Sequence, residues 1–382
     1  MKIPFNRPVT MGNEQRYMTD AIARMHISGD GHYTKLVHRC LEEIMGGGRA
    51  LMTTSCTHAI EMCALLLDIA PGDEVIMPSF TFVSTANAFV LRGARPVFVD
   101  IRADTLNIDE ALIEEAITKR TRAIVVVHYA GVACQMDAIL DIARRHGLAV
   151  IEDNAHGLFG AYKGRPLGSL GVFATLSFHE TKNVSCGEGG ALIINDPGYG
   201  ERAEIVREKG TNRSRYFRGL VDKYSWVGPG SSYLPSDLLA AYLYGQLEAS
   251  GEIQRRRQSI WDRYHSGLQS WAERNGVGRP NVPGECQPAY HLYYLLLPSP
   301  RVRDALIDML RSNDIEAVFH YVPLHVSEYG KALGYRAGQL PVTESAGASL
   351  VRLPMYNDMT VEEQDRVVEA IRMFRPRVAE NV

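Results

Sequence analysis

From about residue 50 the sequence alternates short apolar, β-branched runs with amphipathic stretches. An apolar run fits a strand buried on both faces, and an amphipathic stretch between two such runs fits a helix packed on the sheet. This order is typical of a mostly parallel, doubly wound sheet with helices on both faces. It predicts strands at 74–77, 96–99, 123–128, 149–152, 174–178 and 191–195, and helices at 57–67, 82–91, 108–117, 136–146 and 202–208.

The C-terminal third has a different pattern. A long polar helical region at 236–274, interrupted near Gly251, precedes a predicted strand at 291–297, helix at 302–313, strand at 317–321 and helix at 361–374. Since 382 residues exceed one typical domain, we expect a large domain at 1–250 and a smaller α+β domain at 251–382. No flexible linker separates them, so a ligand cleft between the two is expected.

Charge and composition exclude several classes of partner. The chain has 41 Lys and Arg against 44 Asp and Glu, which is too balanced to attract nucleic acid or an anionic membrane. No apolar run is long enough to span a membrane, and the first residues lack the apolar core of a signal peptide, so a cytoplasmic protein is expected. The six cysteines lack the spacing of a zinc site, which predicts reduced thiols and no metal.

One segment could bind an anion. Residues 53–57 (TTSCT) follow the apolar residues 50–52 and open the predicted helix, so hydroxyl groups and free backbone amides gather at the positive end of its dipole. Such a start can hold a phosphate without a P-loop lysine. When the segment is considered alone, ordinary capping of the helix by Ser or Thr is the better explanation of the same pattern.

Two further residues lie where open α/β sheets bind ligands. Asp153 follows the apolar residues 149–151, at the carboxyl end of a parallel strand, where its carboxylate could hold a ring nitrogen protonated or cap a helix. Lys182 lies between the strand at 174–178 and the glycine-rich segment 187–190. Burial there would favour the neutral, nucleophilic amine, whereas most lysines are solvated surface charges.

The helix start, Asp153 and Lys182 follow one another on the same sheet, and together they suit a single ligand. Pyridoxal phosphate requires a phosphate site, a carboxylate for its pyridinium nitrogen and a lysine to which it attaches. The helix start, Asp153 and Lys182 supply these in turn. The sequence therefore predicts a pyridoxal-phosphate enzyme.

Longer segments carry a resemblance to a known family. Residues 72–82 (GDEVIMPSFTF), 152–156 (EDNAH) and 177–190 (SFHETKNVSCGEGG) resemble the DegT/DnrJ/EryC1/StrS nucleotide-sugar aminotransferases, and the resemblance extends over nearly the whole chain. It implies the type I, aspartate-aminotransferase-like fold. Residues 86–94, 127–134, 209–214 and 317–325 are especially similar to members that form dTDP-4-amino-4,6-dideoxygalactose.

The resemblance implies roles for individual residues. Lys182 would attach to the cofactor and move a proton to and from the substrate carbon, and Asp153 would bind the pyridinium nitrogen. Phe82 would stack on the cofactor ring and His156 would lie near its 3′-oxygen, although either could instead be a core residue. The phosphate would be held by Ser55, Cys56 and Ser177, and by Ser232 of a second subunit at a position where the family commonly has Asn.

The resemblance also implies a reaction. An amino group would pass from L-glutamate to C4 of dTDP-4-keto-6-deoxy-D-glucose, with the galacto product favoured, in a homodimer or a dimer of dimers with shared active sites. A 3-keto-sugar aminotransferase, a dehydratase and a cofactor-binding regulator are the alternatives; the dehydratase is disfavoured because its lysine position is typically His. The substrate would be bound by Lys209, Arg213, Arg218, His320, Tyr321 and His325.

Overall fold

The computed structural model describes residues 2–375. Its strands, in chain order, are β1 (Arg49–Thr53), β2 (Glu74–Pro78), β3 (Arg95–Val99), β4 (Thr121–Val127), β5 (Ala149–Asp153), β6 (Ala161–Tyr162), β7 (Arg165–Pro166), β8 (Phe173–Ser177), β9 (Gly190–Ile194), β10 (Cys286–Gln287), β11 (Tyr294–Leu296) and β12 (Leu350–Arg352).

Helices surround these strands. In chain order they are α1 (Glu14–Ala23), α2 (His32–Ile44), α3 (Cys56–Leu66), α4 (Val83–Val90), α5 (Met136–His146), α6 (Gly200–Arg207), α7 (Arg213–Phe217), α8 (Asp237–Glu248), α9 (Ser250–Arg274), α10 (Pro300–Ser312), α11 (Glu328–Ala332), α12 (Pro341–Ser349) and α13 (Val361–Met373). Within residues 2–375, none of them is both long and apolar enough to cross a membrane.

The main sheet has seven strands in the order β1-β9-β8-β5-β4-β2-β3. Strands β8, β5, β4, β2 and β3 are mutually parallel, whereas β9 runs antiparallel to both β1 and β8. Every residue of β2 and of β9 is buried, as expected for strands covered on both faces. The predicted mostly parallel, doubly wound sheet is confirmed, and its topology places the carboxyl ends of β1, β2, β5 and β8 along one edge.

Two predicted elements are wrong. The helix expected at 108–117 is replaced by two 3₁₀ turns, Glu110–Leu112 and Glu114–Ala116, because Ile108 is held in a β-bridge with Ile101 and the Asp109 side chain caps a separate short turn. The strand expected at 317–321 is reduced to one bridge, between Val318 and Arg352. Beyond this bridge the Phe319 carbonyl accepts from the Arg352 side chain.

The structure also contains elements that the sequence analysis did not predict. Strand β1 joins the sheet beside the antiparallel β9, and helices α1 and α2 pack on α8. The break predicted near Gly251 lies between α8 and α9, at Ala249. The remaining predicted strands and helices agree with the structure to within a few residues at their ends, which is the usual uncertainty of element boundaries.

The C-terminal part has an apolar core of its own. Side chains from α9, α10 and α13 pack on β11 and β12, and Ile3 from the chain's start is fully buried among them. This antiparallel strand pair and its helices make an α+β unit beside the main sheet. The domain division at 250/251 stays a prediction.

Candidate active site

A cleft of about 630 Å³ lies at the carboxyl edge of the main sheet, with β12 and the 320–321 segment forming its opposite wall. It is within the size range of ligand sites, and loops that follow strands from both sides contribute to it. Nine of the predicted site residues line this cleft: Ser55, Cys56, Phe82, Asp153, His156, Ser177, Lys182, His320 and Tyr321.

The predicted phosphate end is built around Gly190. In β9, Gly190 pairs with Thr53 on one side and with Ser177 on the other, which brings the start of α3 next to the end of β8. A side chain at Gly190 would collide with the backbone of Ser55 and Cys56, so only glycine permits this approach. This end of the cleft therefore combines the hydroxyl groups of Ser55 and Ser177 with the first amides of a helix, which have no acceptor within the helix.

At the predicted phosphate end, the side chains of Ser55 and Cys56 already make contacts within the protein. Ser55 caps α3, its Oγ accepting from the His58 amide at 3.1 Å. The Cys56 Sγ lies 3.5 Å from the Thr175 hydroxyl, and burial raises the pKa of the thiol to about 12. A neutral thiol aimed at Thr175 leaves only the backbone amide of Cys56 for an anion.

Asp153 ends β5 and is almost fully buried. Its Oδ2 accepts a hydrogen bond from the Thr85 hydroxyl at 2.7 Å, and its Oδ1 accepts from the Ala155 amide at 3.2 Å. Thr81 lies 2.8 Å from Thr85, hydroxyl to hydroxyl, which extends the chain of bonds. Burial raises the pKa of Asp153, so a cationic ring nitrogen beside it would stabilise the carboxylate.

Thr85 and Thr81 were missed by the sequence analysis. Their four-residue spacing across the start of α4 could have suggested that they share a face. Nothing in the sequence indicated that this face would meet Asp153.

Lys182 lies in the turn that follows β8, where its amide donates to the His179 carbonyl at 2.9 Å. The turn is closed by a bond from the Glu180 amide to the carbonyl of Gly187, which has φ 84°. Burial lowers the pKa of Lys182 to about 8, against the opposing influence of Cys56 and Asp153. A substantial fraction of the amine is therefore neutral and nucleophilic in mildly alkaline solution.

His156 is a buried, neutral imidazole. Its Nε2 lies 3.2 Å from the Tyr321 hydroxyl, and its ring stacks on His291 with centroids 4.3 Å apart. Burial lowers its pKa well below 6.5. Its Nδ1 is buried and lacks a hydrogen-bond partner anywhere in residues 2–375, which is the arrangement expected where a ligand atom completes the bonding.

Phe82 precedes α4 and is 57% exposed on the wall of the cleft, with its ring centroid 6.4 Å from that of Tyr321. An exposed aromatic face beside Asp153 and Lys182 suits a flat heteroaromatic ring. With the phosphate end, the buried carboxylate and the unpaired His156 nitrogen, the cleft fits pyridoxal phosphate. The individual roles of the residues stay predictions.

The cleft contains one cationic residue that the sequence analysis missed, Arg352 at the end of β12. Its guanidinium lies 4.8 Å from the centroid of the Phe5 ring and donates to the Phe319 carbonyl through Nε and Nη2. No local motif marks it, because its position depends on pairing between distant segments.

His325, predicted to bind substrate, lies outside the cleft. Its Nδ1 is 2.7 Å from the Ser79 hydroxyl and its Nε2 is 3.0 Å from Glu344, and its side chain is fully buried. These bonds join the end of β2 to the segment that carries His320 and Tyr321. In this chain His325 therefore supports the cleft wall from behind and has no surface with which to touch a substrate there.

The other predicted substrate and phosphate residues are also outside the cleft of their own chain. Arg213 pairs with Glu208 and Arg218 pairs with Glu204, each with N–O distances of 2.7 Å. All four of these residues, Lys209, Arg213, Arg218 and Ser232, are exposed. These residues could contact substrate or cofactor only in the cleft of another subunit.

Comparison with known proteins identifies the family of this chain. Residues 9–372 match the model of the DegT/DnrJ/EryC1/StrS aminotransferase family. The chain is 34% identical over 378 residues to the spore coat polysaccharide biosynthesis protein SpsC of Bacillus subtilis (strain 168), covering 97% of this chain and 96% of the relative.

Solved structures give the same result. The aminotransferase TlmJ from Streptoalloteichus hindustanus has 30% identity, a TM-score of 0.89 and coverage of 97% of this chain and 98% of its own. The sugar aminotransferase Spr1654 from Streptococcus pneumoniae, described as putative and solved in its PLP form, has 27% identity, a TM-score of 0.90 and the same coverage. The type I fold is thereby confirmed, and this chain belongs to the DegT/DnrJ/EryC1/StrS family of pyridoxal-phosphate-dependent sugar aminotransferases.

Proposed function

We propose that the protein transfers the amino group of L-glutamate to C4 of dTDP-4-keto-6-deoxy-D-glucose and forms a dTDP-4-amino-4,6-dideoxyhexose, with the galacto product favoured. The observation that carries this proposal is the cleft itself. It joins Lys182 and Asp153 on the sheet side to the His320–Tyr321 wall, in a volume of about 630 Å³. The same wall belongs to the segment that is similar to the 4-amino-sugar enzymes.

Bound pyridoxal phosphate supplies the electron sink that labilises the bonds of the amino-bearing carbon. Lys182 holds and moves the proton at that carbon, for which its lowered pKa suits it. Asp153, fixed by Thr85 and by the Ala155 amide, keeps its charge directed at the ring nitrogen. Phe82 would hold the ring by stacking on it, and His156 would donate to or accept from it through the unpaired Nδ1.

The opposite wall is suited to a hydroxylated, uncharged ring. His320 Nδ1 lies 2.7 Å from the Tyr129 hydroxyl, and the rings of His320 and Tyr321 are stacked with centroids 3.7 Å apart. Burial lowers the pKa of His320 well below 6.5 and raises that of Tyr321, so both side chains are neutral. Neutral imidazole and phenol groups donate to and accept from sugar hydroxyls without a charge.

The diphosphate of the acceptor needs cations, and we propose that Lys209, Arg213 and Arg218 come from a second subunit. In support of a homodimer or a dimer of dimers, the same loop exposes large apolar side chains, with Phe217 at 69% and Trp226 at 81%. Exposed aromatic groups of this size are typical of a surface that another chain covers. In that assembly Ser232 would approach the phosphate of the partner's cofactor. We also propose that the enzyme is cytoplasmic.

The alternatives predict different products. A 3-keto-sugar aminotransferase would use the same cleft on the isomeric ketone. A sugar dehydratase is disfavoured by Lys182, and a cofactor-binding regulator would bind pyridoxal phosphate without reacting with an amino donor.

The test is to incubate the holoenzyme with L-glutamate and, in separate reactions, with dTDP-4-keto-6-deoxyglucose and its 3-keto isomer, and to assign the product by NMR. We expect a 4-amino sugar with the galacto configuration from the 4-keto substrate. Lys182→Ala is the inactive control. Preference for the 3-keto isomer, or efficient amination of free 4-keto-6-deoxyglucose, would contradict the proposed substrate while leaving the aminotransferase activity intact.

A further inference from the structure

Arg352 is a cation in the cleft that the cofactor-binding residues do not explain. Apart from Lys182, the other basic groups in the lining are four histidines, of which His156, His291 and His320 are kept neutral by burial. The acids are Asp153, which faces Lys182, and Glu188, which is exposed at the rim.

The charge of Arg352 is not compensated within the chain. In the part of the chain that the structure describes, its guanidinium forms no ion pair, and its hydrogen bonds go only to the Phe319 carbonyl, through Nε and Nη2. Arg352 is half-buried in the lining of the cleft, and desolvation there lowers the pKa of its guanidinium. Because a poorly solvated charge is costly unless an opposite charge pairs with it, the arrangement favours an anionic ligand.

The guanidinium is also fixed in orientation. The Phe5 ring lies 4.8 Å from its central carbon, and the Phe5 carbonyl accepts from the Met355 amide at 3.3 Å, which anchors the aromatic ring to the same wall. Nη1 has no hydrogen-bond partner among residues 2–375 and remains for a ligand, together with the second proton of Nη2. This planar fork matches the two oxygens of a carboxylate better than a point charge would.

The position of Arg352 indicates which anion it takes. It lines the same cleft as Lys182, His156 and His320, and its charge lowers the pKa of all three, so it lies near the groups proposed to surround the reacting carbon. In an α-amino acid the carboxylate is bonded to that carbon. In a sugar nucleotide, by contrast, the hexose ring separates C4 from the diphosphate, which must lie farther out.

We propose that Arg352 binds the α-carboxylate of the amino donor. This assignment rests on the proposed function, and it names the group that lets one cleft accept an amino acid in one half-reaction and a sugar in the other. The donor would occupy the Arg352 fork with its α-amino group directed at Lys182. The acceptor sugar would leave that fork to water or to a hydroxyl group.

The test compares Arg352→Gln, Arg352→Lys and the control Arg311→Gln, whose side chain on α10 is 70% exposed. Each holoenzyme reacts in single turnovers with L-glutamate, with L-glutamine and with L-isoglutamine, in which an amide replaces the α-carboxylate. Loss of the visible cofactor band reports the rate. Equilibrium binding of L-2-methylglutamate, which lacks the α-hydrogen, reports affinity without turnover.

We expect Arg352→Gln to lower the efficiency with glutamate and with glutamine by about 100-fold and to weaken 2-methylglutamate binding comparably, as when one partner of a buried charge pair is removed. The sugar half-reaction and the poor reaction with isoglutamine should each stay within about threefold of wild type. Arg352→Lys keeps the charge but not the planar fork, so its loss of efficiency should lie between that of wild type and that of Arg352→Gln. It serves as the test if Arg352→Gln does not fold.

An equal loss with every donor and with the sugar would show that Arg352 only supports the wall, and would overturn the proposal. A loss confined to the sugar half-reaction would assign it to the acceptor, and a loss with glutamate but not glutamine would assign it to the γ-carboxylate; both overturn it. If wild type uses another α-amino acid in place of glutamate, the proposed donor is wrong, and Arg352 is tested with that amino acid and its α-amide. A wild-type enzyme that converts no α-amino acid would overturn both.

Discussion

Replacing Lys182 by methionine should stabilise the cofactor-free protein at neutral pH. The ammonium of Lys182 is poorly solvated in the cleft, and burial lowers its pKa from 10.5 to about 8. Below pH 8 the lysine is protonated in both the folded and the unfolded chain, so folding carries the full cost of burying the charge. Methionine has a similar length and no charge, and therefore removes this cost.

The size of the effect follows from the two pKa values. A fall from 10.5 to about 8 corresponds to about 3 kcal/mol at pH 7, and the cost declines to about 1.4 kcal/mol at pH 9.5, where the folded chain has released the proton. Because folding lowers the pKa of the lysine, the destabilisation is complete below the folded pKa and disappears as the pH approaches 10.5. Because Lys182 also lowers the pKa of Asp153, its loss has a cost, and we expect a net gain of about 1–3 kcal/mol at pH 7.

Urea unfolding of the cofactor-free wild type and of Lys182→Met at pH 7 and pH 9.5 measures this gain. Lys119→Met, at an exposed position, is the matched control and should change the free energy of unfolding by less than about 0.5 kcal/mol at both pH values. A Lys182→Met protein less stable than wild type at pH 7, or a gain that grows with pH, would refute the assignment of a desolvated amine.

Substitutions at three other positions test the cofactor site. Asp153→Asn should retain cofactor but lower turnover by more than about 100-fold, because an amide does not stabilise the pyridinium charge; near-normal rates at full cofactor occupancy would contradict this. Thr85→Val should lower the free energy of unfolding by about 1–3 kcal/mol by leaving Asp153 Oδ2 without its donor, whereas Thr85→Ser should stay close to wild type in urea unfolding. Cys56→Ser should keep its cofactor affinity, measured by equilibrium titration, within about threefold, since the thiol is directed at Thr175 and we propose that the backbone amide binds the anion; a large loss would show that the side chain takes part.

The sequence was sufficient for the sheet and for the residues at its edge. Apolar runs of strand length specify buried parallel strands, and the carboxyl ends of such strands meet along one edge whatever the details of packing. Asp153 and Lys182 could therefore be placed near each other from their positions after β5 and β8 alone. The same reasoning placed the helix start at Ser55 on this edge.

Local pattern was less informative where a long-range contact decided the conformation. The periodicity at 108–117 suited a helix, but the bridge from Ile108 to Ile101 holds the start of the segment extended. His325 has the sequence context of a substrate ligand, yet Ser79, 246 residues away, and Glu344 bury it behind the wall. These outcomes depend on which distant segments meet, which no short window of sequence contains.

The sequence by itself thus determined the fold class, the family, and the pairing of a strand-end carboxylate with a strand-end lysine, because alternation of elements dictates where such residues gather. Only the tertiary structure decided how those groups are tuned. It placed Thr85 against Asp153 across 68 residues, left the Nδ1 of His156 unpaired, and brought Arg352 over Phe5 into the same cleft. Hydrogen bonds, desolvation and uncompensated charge arise from contacts between chain segments far apart, and such contacts exist only once the chain has folded.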